Sequence, residues 1–400
     1  MKRFVPFFCV LLILMLSLCS FSNFSVVFAD NLFEIDANSS ILIDAESGEV
    51  LFEDNADEKV PVASIVKLMT SLITLEEIEN GNLKLDEKIV ASPYASSMGG
   101  SQVFVDAYSE YTVGDMLKSV IVASANDAAV VLAEKIGGSE ENFVSKMNER
   151  AKALGLKNTL YVNANGLPQP NGYSTARDVA LLLGEVIKHK DYFKFSTIWM
   201  DELTHPSGRK TEVVNTNKLI RYFKGCDAGK TGSTDEAGYC LAATAQKDGM
   251  RLIAVVLGAQ TSTARFNETS KLLNFGFTNF ENKQIVDKTV EIGQIDITKS
   301  KTKQASAYPK EDFFVVCKKG ENSSYNVDIE LNKNIKAPVE SGDACGKIII
   351  SKDGVIVKEI EAILIEKIEK ITYKDSLKEI ISNWWQKSAF CTFFLLTKIN

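Results

Sequence analysis

Strand-like and helix-like periodicity come in blocks along this chain, and the order of the blocks leaves few folds open. Ile41-Leu42-Ile43 and Val50-Leu51-Phe52 flank Glu46-Ser47-Gly48, two apolar runs around a glycine turn that predict a β-hairpin. Pro61 stops that pattern. From 64 to 79, apolar residues fall at 65, 66, 68, 69, 72, 73, 75 and 78, which is helical spacing, and Asn80-Gly81 ends it. Further helices are predicted over 113–122, 127–136, 140–154 and 175–188. Strand-like runs at 239–245 and 251–257 follow, joined by a turn at Asp248-Gly249, and 263–275 reads as a closing helix. A hairpin or an amphipathic helix cannot bury its apolar side alone. Strands from both ends of this stretch must therefore meet in one sheet with the helices packed on it. The expectation is an α/β (α+β) domain over 30–281, near the upper size for one core.

From Ile285 the character changes. Short runs at 290–297, 313–316, 327–331, 347–350 and 355–365, separated by Gly, Asn, Asp and Lys, predict a small all-β domain over 282–372. The stretch 373–400 is helical in pattern, with Leu377, Ile380, Ile381, Trp384 and Trp385 on one side and Phe390, Phe393 and Phe394 beyond. Its uncharged run is too short to span a bilayer. An amphipathic helix rich in Trp and Phe suits a membrane surface, with packing on the β domain as the alternative. At the other end, Lys2-Arg3, an apolar middle around 11–16 and small residues at Val27 and Ala29 predict a signal peptide over 1–29, which puts the rest of the chain outside the cytoplasm.

A formal charge of −7 with well-mixed signs argues against nucleic-acid binding, which needs clustered Lys and Arg. There are two histidines, His189 in a helix-like run and His205 before Pro206. Both read as surface residues, and neither sits near a carboxylate pair or a second metal ligand, so no metal or other cofactor is expected. Beyond the signal segment five cysteines remain, Cys226, Cys240, Cys317, Cys345 and Cys391, with no Cys-x-x-Cys spacing. A Cys317–Cys345 disulfide is open in an exported protein.

Three short motifs appear in order: Ser64-Ile65-Val66-Lys67, Ser124-Ala125-Asn126 and Lys230-Thr231-Gly232. The first is weak alone, because a chain of this length contains roughly two such matches by chance. Ser207 with Lys210 and Ser300 with Lys303 also fit it. Only Ser64 opens an apolar-periodic helix, where a separation of three puts Ser and Lys on one face. A serine hydroxyl needs a base to become nucleophilic. Without a suitable histidine, Lys67 is the candidate base, and burial beside a second cation, Lys230, would hold it neutral. Ser124 would relay a proton to the leaving group, and Asn126 would hold the scissile amide. Lys230, Thr231 and Gly232 would lie on a strand edge to which an extended peptide adds. The backbone N–H groups of Ser64 and Ser233 would form the oxyanion hole.

This set resembles the low-molecular-mass penicillin-binding proteins of the D-alanyl-D-alanine carboxypeptidase type. The second motif reads Ser-Ala-Asn, a variant common in those carboxypeptidases. Asn165-Gly166-Leu167, the segment 173–178, Asn215-Thr216-Asn217-Lys218-Leu219 and Thr231 through Tyr239 look like family segments, and the likeness covers about residues 30 to 370. It implies a transpeptidase-like domain of the penicillin-binding/β-lactamase type, with Arg265 pairing the substrate's terminal carboxylate. It also implies an acyl-enzyme on Ser64, formed with peptidoglycan stem peptides ending in D-Ala-D-Ala or with β-lactams. The aromatic tail is similar to the family's C-terminal anchor, on the outer face of the cytoplasmic membrane. Asn165 stands where relatives often have His and Ser233 where some do, and Cys226 and Cys240 flank the Lys230 strand unexpectedly. The rival readings are a β-lactamase, for which no Glu-x-x-x-Asn element lies between Ser124 and Lys230, a D,D-endopeptidase, and a non-catalytic β-lactam sensor.

Overall fold

The computed structural model describes residues 33–321, 324–378 and 380–381. The expected signal peptide over 1–29, Cys391 and most of the helix expected over 373–400 lie outside the described residues.

The hairpin and the late strands do meet. Strands β1 (Ser39–Asp44) and β2 (Val50–Asp54) join β3 (Cys226–Thr234), β4 (Gly238–Lys247) and β5 (Met250–Ala259) in one sheet of order β2-β1-β5-β4-β3. Every pairing is antiparallel, with Ile41 opposite Val255 and Lys230 opposite Ala242. The middle strand β5 is buried almost throughout, as expected of a strand covered on both faces. Helices α1 (Lys67–Glu79), α2 (Val113–Val122), α3 (Asn126–Gly137), α4 (Glu140–Ala153) and α5 (Ala176–Val186) precede the last three strands, and α6 (Ser262–Asn279) follows them. The α5 helix packs on β5 and β1, and α6 on β5 and β4. Ser139, Thr175 and Thr261 cap α4, α5 and α6, each accepting a backbone N–H three residues on. One apolar core joins the sheet to α1–α5, drawing on Ile41, Leu68, Leu72, Val120, Leu132, Leu183 and Val255.

Two small two-stranded antiparallel sheets escaped the sequence analysis, 88–90 with 110–112 and 200–204 with 210–214. Their strands are three and five residues long and largely exposed, too short for an alternating pattern to register.

From Phe280 to Leu364 the chain is all β. Strands β6 (Phe280–Val286), β7 (Gly293–Thr298), β8 (Gln304–Pro309), β9 (Phe313–Lys318), β10 (Asn326–Leu331), β11 (Asn334–Lys336), β12 (Ala344–Lys352) and β13 (Val355–Leu364) form a β6-β9 ribbon and a sheet of order β10-β12-β13-β8-β7-β11. Ile295, Ile297, Ala307, Cys345 and Leu364 build one small core, and Val286, Ile348, Ile350 and Ile360 a second. Cys226, Cys240, Cys317 and Cys345 are free thiols, so the Cys317–Cys345 bridge is not made. Among the described residues no helix is long and apolar enough to cross a membrane.

Candidate active site

Ser64 does not open the α-helix as expected. It lies in a short 3-10 turn, Ala63–Val66, that runs directly into α1, with Ala63 at φ +47°. Lys67, the first residue of α1, is fully buried, and its Nζ reaches Ser64 Oγ at 2.8 Å. The same nitrogen contacts Asn126 Oδ1 at 2.6 Å and the Asn165 carbonyl at 2.5 Å. Motifs 59 residues apart in sequence are thus joined at one amine. Asn126 is held in turn by its Nδ2, which donates to the Gly99 carbonyl at 2.7 Å.

Ser124 sits in the connection from α2 to α3 with φ +62°, in the left-handed region that a residue with a Cβ rarely adopts. It is 4% exposed, and its hydroxyl has no hydrogen-bond partner among the described residues. A strained residue holding an unspent buried hydroxyl is a pattern found at reactive sites.

The Lys230-Thr231-Gly232 run lies in β3, at the edge of the sheet, as expected. Lys230, Thr231 and Gly232 are nonetheless buried, while Ser233 is exposed. The reason is close contact with the Ser64 turn. A methyl group on Gly232 would come 2.6 Å from the Val62 carbonyl and 3.1 Å from Ser64 N. On Gly166, at φ +77°, it would come 2.1 Å from the Ala63 carbonyl and 2.9 Å from Ser64 N. Two glycines from distant segments therefore close on the backbone of the nucleophile.

Arg265, in the first turn of α6, donates from Nη1 to the Gly232 carbonyl at 3.0 Å and from Nη2 to Ser262 Oγ at 3.3 Å, while its buried Nε has no partner among the described residues. The guanidinium lies over the rings of Phe266 and Tyr239.

These burials set the charges. Burial drives the Lys67 amine far below the usual lysine range and the Lys230 charge pushes the same way, against Asp127. Burial and the nearby Arg265 pull Lys230 itself down to about 7. The second cation is thus itself weakened, which the sequence reading did not include. Burial lowers Arg265 as well.

Three contributors were missed: the Asn165 carbonyl, Gly166 and Asp127. Asp127 is fully buried and accepts the backbone N–H groups of Val103, Val105 and Ala128, which fixes the segment bordering Gly100. Asn165 and Gly166 lay in a segment already singled out, but a backbone acceptor leaves no mark on residue type.

Both histidines prove buried rather than superficial. His205 is 2% exposed, with Nδ1 at 2.9 Å from the Tyr111 hydroxyl and Nε2 at 2.8 Å from Thr211 Oγ1. His189 is 8% exposed, with Nδ1 2.8 Å from Glu79. Cys226 and Cys240 are buried thiols, pushed by burial up to about 12 and about 11, and they pack the strands flanking Lys230. Ser207 lies in an exposed turn and Ser300 at an isolated bridge to Lys370, so neither decoy motif opens a helix. No group of three or more His, Cys, Asp or Glu among the described residues is placed to hold a metal ion.

The family model for D-alanyl-D-alanine carboxypeptidase (peptidase S11) matches residues 26–261, and that for the C-terminal domain of penicillin-binding protein 5 matches 280–370. The chain is 38% identical over 350 residues to D-alanyl-D-alanine carboxypeptidase DacF of Bacillus subtilis, covering 87% of this chain and 90% of the relative. The structure is similar to penicillin-binding protein 5 of Haemophilus influenzae, with TM-score 0.68 and 32% identity over 84% of this chain and 98% of the other. It is likewise similar to the peptidoglycan synthesis regulatory factor PBP3 of Streptococcus pneumoniae, with TM-score 0.72 and 28% identity over 84% and 100%.

Proposed function

This chain belongs to the D-alanyl-D-alanine carboxypeptidase family of serine peptidases and is a serine-type D-Ala-D-Ala carboxypeptidase, and from that premise we propose how its residues divide the work. The observation that carries the proposal is the 2.8 Å contact between the Lys67 amine and the half-buried Ser64 hydroxyl, with the burial of Lys67 favouring its neutral form.

Ser64 Oγ attacks the carbonyl of the penultimate D-alanine while Lys67 Nζ takes its proton. The backbone N–H groups of Ser64 and Ser233 face the oxygen that becomes negative. Asn126 holds the amide of the acyl half. Thr231 and Gly232 present the strand edge to the peptide backbone. Arg265 and Lys230 attract the terminal carboxylate. As the tetrahedral intermediate collapses, the C–N bond breaks and the leaving nitrogen gains a proton through Ser124. Free D-alanine departs, and water hydrolyses the Ser64 ester, restoring the hydroxyl. A β-lactam, whose amide is likewise attacked by Ser64, stays attached because its leaving group remains tethered.

We place the catalytic domain at 30–281 and the all-β domain at 282–372, after a signal peptide over 1–29, and assign the enzyme to the outer face of the cytoplasmic membrane. Support for the tail (373–400) as a surface anchor comes from its described part. Residues 373–378 are helical, and Tyr373, Leu377, Ile380 and Ile381 are exposed rather than packed on the β domain.

Incubation with penicillin followed by mass spectrometry, beside a D-alanine-release assay, tests the assignment. A lasting adduct on Ser64, with D-alanine released by the parent protein and not by Ser64→Ala, is the expected result. Rapid penicillin turnover without an adduct would instead mark a β-lactamase, and neither adduct nor D-alanine would mark a sensor.

A further inference from the structure

The segment 99–106 borders Asn126 and has no regular structure of its own. It contains no helix or strand, and Gly100 at φ +73° and Phe104 at φ +59° lie in the left-handed region. Its backbone groups are tied to other segments instead. The Gly99 carbonyl accepts from Asn126 Nδ2 at 2.7 Å, and the Ser101 carbonyl accepts from Asn126 N at 2.7 Å. Val103 N and Val105 N donate to the Asp127 carboxylate at 3.2 and 3.0 Å. The end of the segment is tied elsewhere. Arg209, in the turn between the strands 200–204 and 210–214, has its Nη2 2.5 Å from the Phe104 carbonyl and 3.1 Å from the Asp106 carboxylate. Asp106 N donates to the Tyr111 hydroxyl at 2.8 Å.

His205 joins these last contacts. Its side chain is fully buried, with Nδ1 2.9 Å from the Tyr111 hydroxyl, 3.0 Å from Arg209 Nη2 and 3.7 Å from the Asp106 carboxylate, and with Nε2 2.8 Å from Thr211 Oγ1. The Tyr111 oxygen accepts from Asp106 N, so its own hydrogen goes to Nδ1, and Arg209 points a second N–H at the same atom. Nδ1 is therefore an acceptor, and the ring hydrogen sits on Nε2, towards Thr211. Burial first and the Arg209 charge second hold the imidazole below its ordinary range, against Asp106 and Asp127, which keeps the ring in this neutral form. One lone pair thus orients both Tyr111 and Arg209, the two side chains that hold residues 104–106.

We propose that His205 is a positioning residue for Asn126. It orients Tyr111 and Arg209, these hold the end of the segment 99–106, and the segment fixes Asn126 through the Gly99 and Ser101 carbonyls. His205 itself touches no substrate. The inference rests on the reading above in which Asn126 holds the amide of the acyl half.

Benzylpenicillin carries an acylamide for Asn126 to hold, whereas aminopenicillanic acid has a free amine in its place. The test measures acylation of Ser64 by each compound in the full protein and in His205→Phe, His205→Asn and Tyr111→Phe, with thermal unfolding run on every sample. The parent is expected to favour benzylpenicillin. His205→Phe and Tyr111→Phe are expected to narrow that preference by about fivefold or more through slower reaction with benzylpenicillin, because small misplacements caused far from the chemistry are costly. His205→Asn, whose Oδ1 replaces Nδ1 as acceptor, is expected to keep most of the preference. Tyr111→Phe removes one hydroxyl and carries the test alone if His205→Phe does not fold. Equal losses with both compounds make His205 a residue of the fold only, and a preference unmoved in every variant gives it no role at the site; either result overturns the proposal. So does His205→Asn behaving like His205→Phe. A parent without preference removes Asn126 from the amide, and the inference with it, while acylation by neither compound overturns the peptidase reading itself.

Discussion

Lys67 Nζ lies 2.8 Å from Ser64 Oγ, and its two other neighbours, Asn126 Oδ1 and the Asn165 carbonyl, are both acceptors. A neutral amine has two N–H bonds and one lone pair. With both N–H bonds spent on Asn126 and Asn165, the lone pair is left facing the hydroxyl. The base is thus aimed by acceptors rather than paired with a carboxylate, and no salt bridge to Lys67 is present among the described residues.

Lys67→Arg keeps the charge and removes the ability to be neutral, since a guanidinium does not deprotonate in proteins. Acylation by penicillin should fall by about 10²–10⁴-fold, the usual worth of a general base. In the parent protein the acylation rate should rise with pH as the neutral fraction of Lys67 grows. Stopped-flow acylation across pH checks both, and an arginine variant within a few-fold of the parent would remove Lys67 from this role.

Ser124 separates activity from stability. Its hydroxyl bonds to nothing among the described residues, and its φ of +62° is costly for a residue with a Cβ, roughly 1–2 kcal/mol. Ser124→Gly should therefore unfold at the same temperature or higher, while D-alanine release falls by about 10²-fold or more. A destabilised variant with near-normal turnover would show that Ser124 serves the fold.

The glycines that close on Ser64 should differ in kind. Gly166→Ala meets both a positive φ and the Ala63 carbonyl at 2.1 Å, so it should destabilise by about 2 kcal/mol or more and also slow acylation. Gly232→Ala has no positive φ and meets Val62 O and Ser64 N, so its damage should fall mainly on acylation. Chemical denaturation and acylation rates on the same samples distinguish the two.

Lys230 should cost stability. Its pKa is about 7 in the folded protein against 10.5 for an ordinary lysine, so between these values the unfolded chain binds the proton more readily. Stability then increases as pH rises from 7 towards 10.5. Its hydrogen bond to the Thr231 carbonyl is 3.3 Å long. Lys230→Met should be more stable at pH 7 by on the order of a few kcal/mol, and the advantage should fade towards pH 10. Thermal unfolding over that range decides it, and a less stable variant at pH 7 would contradict the argument.

Much of the scaffold was legible because periodicity reports burial directly. The helix at 113–122 and the strands within 238–247 and 250–259 repeat their apolar residues as long, regular elements do. The histidines misled because burial of a polar ring depends on partners such as Tyr111 and Thr211, which lie 94 and 6 residues away and carry no sequence signal of that contact. Strand β6, Phe-Glu-Asn-Lys-Gln-Ile-Val, was passed over because most of it faces solvent and its pairing with β9 supplies the order instead.

By itself the sequence determined which residue types carry the chemistry: a Ser and a Lys one helical turn apart, a second Ser with an Asn, and a Lys-Thr-Gly strand, on a chain whose blocks of periodicity require one sheet and a separate β domain. Local spacing settles such things because it acts within a single turn or strand. Only the tertiary structure decided that the Asn165 carbonyl orients the base, that Arg265 weakens Lys230, and that Gly166 and Gly232 close on Ser64. Those depend on backbone atoms and on burial, which arise when segments 30 to 170 residues apart pack together and water is excluded.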